Sequence, residues 1–290
     1  MKSVDKCSLC GECAFANLFE VRIRNAVSHV VRCGACGLAF LDPRPEPGEI
    51  KSIYSDAYFA DHVKQEILDS REQAAAGLMR RLGRYLPLRG RVLDIGAATG
   101  AYLAAFRKAG WEVDGVEISG FAREAAQRIY GITMHPDLVS AGFADNSFDL
   151  IMMNQVIEHL ADFSGLLDEV RRILKPGGAF FLSTPNFGSP AARRRKAAWF
   201  ALKPEEHLTF FTPRTIRMCL AKSQLRVVYL DTMQAAITTP HFEKMFGAGK
   251  ASAISGFANR FFPKLKRSVR NLLGMLYPGD NIDLIARKVR

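Results

Sequence analysis

From Arg91 onward the chain alternates short apolar runs with helix-patterned segments, and this alternation constrains the fold more than any other feature. The spacing predicts strands over Arg91–Ile95, Trp111–Glu117, Ile132–Met134, Phe148–Asn154 and Ala179–Ser183. Between them it predicts helices over Ala101–Ala109, Gly120–Tyr130 and Asp162–Leu174, with a turn at Lys175–Gly178. A further helical stretch runs from about Gln65 to Leu86. Strands alternating with helices argue for an α/β fold with a parallel sheet covered on both faces. Ligands of such sheets bind at the carboxyl ends of the strands.

The first strand ends in Asp94-Ile-Gly96-Ala-Ala98-Thr-Gly100. Gly96 permits a sharp turn, and Gly100 lets the next helix approach a ligand. The second strand closes on Glu117, an acid placed to accept hydrogen bonds from ribose hydroxyls. Dinucleotide folds want Gly-x-Gly-x-x-Gly, whereas here Ala98 stands in the middle and Asp94 precedes the first glycine. An acid at that point argues against a diphosphate and suits an ammonium-bearing ligand.

Here the sequence resembles the class I S-adenosylmethionine-dependent methyltransferases, over roughly Leu86–Asn186. The motifs that carry the resemblance are Val92-Leu-Asp-Ile-Gly-Ala-Ala-Thr-Gly100, Glu117, Asp137-Leu138, Ser147-Phe-Asp-Leu-Ile-Met-Met-Asn154, and Leu174-Lys-Pro-Gly-Gly178 leading into Phe181-Leu-Ser-Thr-Pro-Asn186. The resemblance implies a Rossmann-like sheet of seven strands. Arg226–Asp231 would be the sixth, and Asn281–Lys288 the seventh, inserted antiparallel. It implies S-adenosyl-L-methionine as methyl donor. Gly96, Ala98 and Gly100 would hold the methionine part, and Asp94 would order its ammonium. Glu117, with Ile118 beside it, would bind the ribose. Asp137 would reach the adenine amine, Leu138 and Val156 would pack on the ring, and Asn154 would stand at the rim. Capping and core packing are the alternative duties of these residues.

Ahead of this region lie two copies of Cys-x-x-Cys-Gly, Cys7/Cys10 and Cys33/Cys36, separated by 22 residues. Two residues between thiolates let one turn present both sulfurs to a single ion. Four thiolates suit a closed, structural Zn²⁺ site, with iron as the alternative. Leu18–Arg24 and Val27–Arg32 read as short strands of a zinc ribbon. Cys13 reads as a spare thiol and Cys219 as core. The expected organisation is a ribbon over 1–41, a proline-rich linker over 42–64 and a cofactor domain over 65–231. A basic amphipathic helical insertion over 232–280 and a final strand over 281–290 follow. A ribbon joined in this way to such a domain, followed by Glu206-His-Leu-Thr-Phe-Phe-Thr-Pro213, is similar to a bacterial group often linked to polysaccharide, glycolipid and sugar methylation.

Methyl transfer is an in-line displacement at an already activated carbon. The protein aligns the acceptor, excludes water and can remove a proton. Two histidines are candidates. His159 lies just after the fourth strand in Asn154-Gln-Val-Ile-Glu-His159, and His207 lies in the segment expected to cover the acceptor. A structural hydrogen bond is the alternative for each. The Glu158-His159 stretch resembles one that binds a divalent metal in some quinone-type O-methyltransferases. Gln155 stands where a first carboxylate would, which argues against a catalytic Mg²⁺ here.

The net charge of +11 is unevenly spread: residues 190–290 hold 19 Lys+Arg and 6 Asp+Glu, whereas residues 1–189 are near neutral. The excess includes Arg193-Arg-Arg-Lys196 and a mixed apolar and basic stretch over 253–276. A helix there would be a lid, a contact with an anionic membrane, or, less favoured, a nucleic-acid surface. The N-terminus lacks a secretory pattern, and no uncharged apolar run reaches ~18 residues. The expected location is cytoplasmic, with a peripheral place on the inner face of the membrane as the alternative. The favoured acceptor is a small or lipid-linked sugar or glycan intermediate. RNA methylation and a non-catalytic cofactor-binding protein are the competing readings.

Overall fold

The structure, a computed structural model, describes residues 1–53, 56–233 and 279–289. Two antiparallel strands, β1 (Phe15–Ile23) and β2 (Ala26–Cys33), form a hairpin, and β3 (Ala39–Asp42) pairs with β2. The stretch expected as a proline-rich linker contains two short helices, α1 (Pro47–Ile53) and α2 (Asp56–Phe59). Helix α3 (Gln65–Leu82) buries Leu68, Ala75, Leu78 and Leu82, the stripe a 3.6-residue period puts on one face.

The central α/β region runs β4 (Arg91–Ile95), α4 (Ala101–Lys108), β5 (Glu112–Val116), α5 (Gly120–Tyr130), α6 (Leu138–Ala141), β6 (Phe148–Asn154), α7 (Ser164–Ile173) and β7 (Leu174–Pro185). It continues through α8 (Pro190–Arg195), β8 (Thr209–Phe210), α9 (Pro213–Lys222), β9 (Leu225–Met233) and β10 (Asn281–Lys288). Six strands form one sheet in the order β5-β4-β6-β7-β10-β9. Strands β5, β4, β6 and β7 are parallel, and β10 is antiparallel to both β7 and β9.

The strands read as near-continuous apolar runs because helices cover both faces of the sheet. Leu93, Ile151, Phe180 and Leu284 face one side, where Leu167, Val170, Ile216 and Leu220 of α7 and α9 meet them. Val92, Leu150, Phe181 and Ile285 face the other, against Leu78, Leu82, Leu103 and Phe106 of α3 and α4. The N-terminal module is part of the first core: Cys7, Leu9, Cys33, Leu38 and Phe40 belong to it. Its sheet takes β8 as a fourth strand, in the order β1-β2-β3-β8.

Two expectations differ from the structure. Ile132–Met134 does not form a strand, so the sheet has six strands rather than seven; an isolated parallel bridge joins Val116 to His135. The Glu117 amide donates to the His135 carbonyl and the His135 amide to the Gly115 carbonyl, and the pairing is confined to this one bridge. Lys175–Gly178 is an excursion inside β7: Leu174 pairs with Phe148 before it, and Ala179 with Leu150 after it. Most of the expected basic insertion, residues 234–278, lies outside the described residues. Among those described, no helix is long and apolar enough to cross a membrane.

Candidate cofactor and acceptor sites

The β4–α4 turn is built from three residues with positive φ: Gly96 at 76°, Ala98 at 48° and Gly100 at 77°. The amides of Gly96 and Ala97 both donate to the Val116 carbonyl, which ties the turn to the end of β5. A methyl at Gly96 would collide with Val156, so glycine is required there for space as well as conformation. The Ala98 amide donates to Glu117 Oε2 at 2.9 Å, and the Ser119 amide donates to Oε1 at 2.9 Å. Glu117 is therefore fixed beside the turn by two backbone donors. Burial raises its pKa against the pull of those bonds. Asp94 is 5% exposed, and burial, with the nearby Glu117 charge, pushes its carboxyl up to about 8.

The other expected cofactor residues divide. Ile118 stands 53% exposed, an apolar surface directly after Glu117. Asp137 caps α6, accepting from the Ser140 amide at 2.7 Å, which holds its carboxyl below the ordinary value. Leu138 points into the core, whereas its neighbour Val139 is 92% exposed. Sequence reading missed Val139, because which of two adjacent apolar residues turns outward depends on where the short helix begins. Val156 is half-buried against Gly96.

A cavity of about 770 Å³ opens at the carboxyl ends of β6 and β7. Asn154 is the one expected cofactor residue on its wall, joined there by His159 and His207. Its polar lining is ordered by mutual bonds. Gln155, with φ 57°, donates from Nε2 to Ser183 Oγ at 3.1 Å and to Asn281 Oδ1 at 2.9 Å. Asn281 donates to Asp283 Oδ1 at 2.7 Å, and Arg81 pairs with Asp283 Oδ2 at 2.6 Å. The final strand therefore furnishes part of the wall.

The rings of His159 and His207 meet edge to face, 4.7 Å apart. His207 Nδ1 lies 2.8 Å from the Ala201 carbonyl, and His159 Nδ1 lies 3.0 Å from the Glu206 carbonyl. A carbonyl only accepts, so both Nδ1 atoms carry the proton, and Nε2 of His207 holds the lone pair. Burial, then the His159 neighbour, lowers His207 to about 3, so this imidazole is neutral at ordinary pH. Glu158 lies behind them, 1% exposed, accepting from Thr184 Oγ1 at 2.9 Å, and burial pushes its carboxyl up to about 8. Donor atoms of Glu158, His159 and His207 lie within 4.8 Å of one another. With Gln155 in place of a second carboxylate, this set does not fit a hard divalent cation such as Mg²⁺.

Away from the cavity, donor atoms of Cys7, Cys10, Cys33 and Cys36 lie within 4.8 Å of one another. Cys7 Sγ is 3.6 Å from Cys36 Sγ, and Cys10 Sγ is 3.4 Å from Cys33 Sγ. Sulfurs about 2.3 Å from a tetrahedral zinc stand about 3.8 Å apart, so the set fits one closed four-thiolate ion. Cys13 is exposed outside the cluster, and Cys219 is buried in α9.

A mostly parallel sheet, a glycine turn after its first strand and an acid after the next define a nucleoside-binding α/β protein. The profile of the methyltransferase-domain family matches residues 67–230, and the chain belongs to that family. The chain is 31% identical over 207 residues to a biotin biosynthesis bifunctional protein BioHC of Cellvibrio japonicus, covering 64% of this chain and 40% of that one. It is 30% identical over 154 residues to a ubiquinone biosynthesis O-methyltransferase of Mesorhizobium japonicum, covering 50% and 58%. It therefore spans about half the length of such curated relatives. A solved S-adenosylmethionine-dependent methyltransferase from Archaeoglobus fulgidus shares the fold at TM-score 0.56 and 21% identity, over 80% of this chain and all of that one.

Proposed function

We propose that this protein transfers a methyl group from S-adenosyl-L-methionine to a hydroxyl of a small polyhydroxylated acceptor, a sugar or glycan intermediate. The observation that carries the reading is the cavity beside Asn154. Its wall sets amide, hydroxyl and carboxylate groups from Gln155, Ser183, Asn281 and Asp283 and the neutral imidazole of His207 into a lining that is otherwise mostly apolar, with Leu78, Tyr102, Phe181 and Phe200. Such a wall suits a small ligand that carries hydroxyls on one side and apolar surface on the other. The relatives named for ubiquinone biosynthesis and for malonyl-[acyl-carrier protein] O-methylation support a small-molecule acceptor.

The cofactor supplies an electrophilic methyl on a sulfonium. The Gly96–Gly100 turn and Asp94 receive its amino-acid end, Glu117 its ribose hydroxyls, and Ile118 and Val139 offer apolar surface to the adenine, whose amine is left to Asp137. His207 Nε2 accepts a hydrogen bond from the acceptor hydroxyl and orients its oxygen. As the methyl's bond to oxygen forms and its bond to sulfur breaks, leaving a neutral thioether, the oxygen would become an oxonium, far more acidic than even a depressed imidazolium, so His207 can take the proton. His159 supports His207 through the edge-to-face contact. The four cysteines hold a structural Zn²⁺. The lipid-linked form of the acceptor, and contact with an anionic membrane, rest on the sequence of residues 253–276.

The test is incubation of the full chain with methyl-labelled cofactor and a fractionated cell extract, with nucleotide-sugar, lipid and RNA pools separated. Label in a sugar-bearing pool supports the reading. Label confined to RNA, or cofactor binding without any labelled product, overturns it.

A further inference from the structure

The short turn Ile157–His159, which follows β6, sends two neighbouring side chains different ways. His159 reaches the cavity wall, whereas Glu158 is buried behind it and serves none of the steps above. Two bonds fix Glu158 in place. Its carbonyl accepts from the Leu208 amide at 2.8 Å, which ties it to the residue after His207. Its Oε2 accepts from Thr184 Oγ1 on β7 at 2.9 Å. Its Oε1 is buried and has no hydrogen-bond partner among the described residues. A buried polar atom left without a partner weighs against the fold and calls for an explanation. The surroundings supply one. A carboxylate oxygen of Glu158 and a ring nitrogen of each of His159 and His207 lie within 4.8 Å of one another, a span that one water bridges.

The proposed reaction leaves a proton to be placed. His207 takes it from the acceptor oxygen, but an imidazolium in that seat is a strong acid, at about 3. The ring must pass the proton on before it can serve again. His159 is depressed by burial as well, so it is no resting place. The other charged groups nearby are Lys203, felt by Glu158 and both histidines, and Glu206, 3.5 Å from the Lys203 amine and felt by His159. Arg44 of the N-terminal module reaches this stretch at the Ala161 carbonyl. Thr184 does not titrate. Burial raises the Glu158 carboxyl to about 8, so it holds a proton far more firmly than His207 does. On the reading that His207 is the base, we propose that Glu158 acts through His207 as the final resting place of the proton that the methylated hydroxyl loses. The N–H bond of the imidazolium breaks and an O–H bond forms at Glu158, so imidazolium and carboxylate become imidazole and carboxylic acid. Two opposite charges vanish together in a buried place, which low dielectric favours. The carboxylic acid returns its proton to water after the product has left.

The experiment has two arms, each on the full chain, with wild type, Glu158→Gln and Glu158→Asp checked by thermal melting. In the first, infrared spectra are recorded from about pH 5 to 10, and the Glu158→Gln spectrum is subtracted. A carboxylic-acid carbonyl band should titrate away with a midpoint near 8. A carboxyl already ionised at about pH 6 overturns the proposal. In the second, turnover is followed against pH at saturating cofactor, with the sugar-bearing extract fraction that takes the label. Glu158 must be ionised to receive the proton, so wild-type turnover should rise toward pH 8 and level off above it. Glu158→Gln should lower the plateau by about 10-fold or more and abolish the rise, and Glu158→Asp should restore part of both. An unchanged profile in Glu158→Gln, or a loss that leaves the shape of the profile intact, means a structural role and overturns the proposal. So does turnover that depends on added Mg²⁺ or Mn²⁺, which would make Glu158 a ligand. If Glu158→Gln fails to fold, Glu158→Asp decides: it must lower the plateau and keep the rise. A chain that labels no sugar-bearing pool defeats the acceptor reading instead, and the infrared band still decides for Glu158.

Discussion

His207 meets the cavity through a ring whose Nδ1 proton is committed to the Ala201 carbonyl, leaving Nε2 as the acceptor. An ordinary histidine loses its charge near pH 6.5. With His207 held to about 3, the neutral form persists through the whole working range. At saturating cofactor, kcat should therefore stay flat from about pH 5.5 to 7.5 as far as this group is concerned. An inflection near 6.5 that disappears in His207→Ala would contradict the assignment. The same variant should lower kcat by about 10²-fold, with cofactor affinity unchanged in a binding titration. Asp94 gives the opposite pH signature. Its free-state pKa is raised to about 8, and a cationic ligand binds the ionised form. Cofactor binding should tighten as pH rises toward 8, by up to about tenfold per unit, and level off above it. Glu117, raised by burial, adds with the same sign. Asp94→Asn should bind more weakly and flatten the slope, which titrations at three pH values would reveal.

At the scale of elements, the β4–α4 turn is the part most dependent on a single side chain. Gly96→Ala would carry a β-carbon at positive φ and drive it into Val156, displacing the amides that Val116 now receives. We expect cofactor affinity to fall by more than about tenfold and the melting temperature to drop by several degrees, measured by calorimetry and thermal denaturation. This turn was legible in the sequence because its information is local: Asp94, Gly96 and Gly100 stand within seven residues, and Glu117 closes the next strand. The cysteine pairs were legible for the same reason, as was the antiparallel last strand, through resemblance. The illegible parts depend on tertiary placement. The expected strand over Ile132–Met134 is reduced to one bridge at His135, and the exposure of Val139 turns on the register of a four-residue helix.

At the scale of the molecule, the cysteine module and the acceptor side are mechanically one unit. Strand β3 pairs with β8 through Ala39–Phe210 and Phe40–Thr209, and the Leu41 amide donates to the Leu208 carbonyl at 3.0 Å. His207 immediately precedes Leu208, so the hairpin that the four thiolates would clamp also braces the backbone carrying the proposed base. The same core joins Cys7, Cys33 and Cys36 to Phe211 and Ile216. The cofactor turn, by contrast, is tied to β5 and has no bond to the module among the described residues. Loss of metal should therefore be felt unequally. Metal analysis should find one ion per chain, and strong chelation or Cys7→Ser should lower the melting temperature. Amide exchange should then rise over residues 1–42 and also over 201–211, while residues 94–119 keep their protection. Turnover should fall with the loosened His207 segment, and cofactor affinity should fall less, since among the described residues the turn meets the module only through the shared apolar core and not through hydrogen bonds. Exchange confined to residues 1–42 would sever the module from the chemistry and leave the β3–β8 pairing a passive seam.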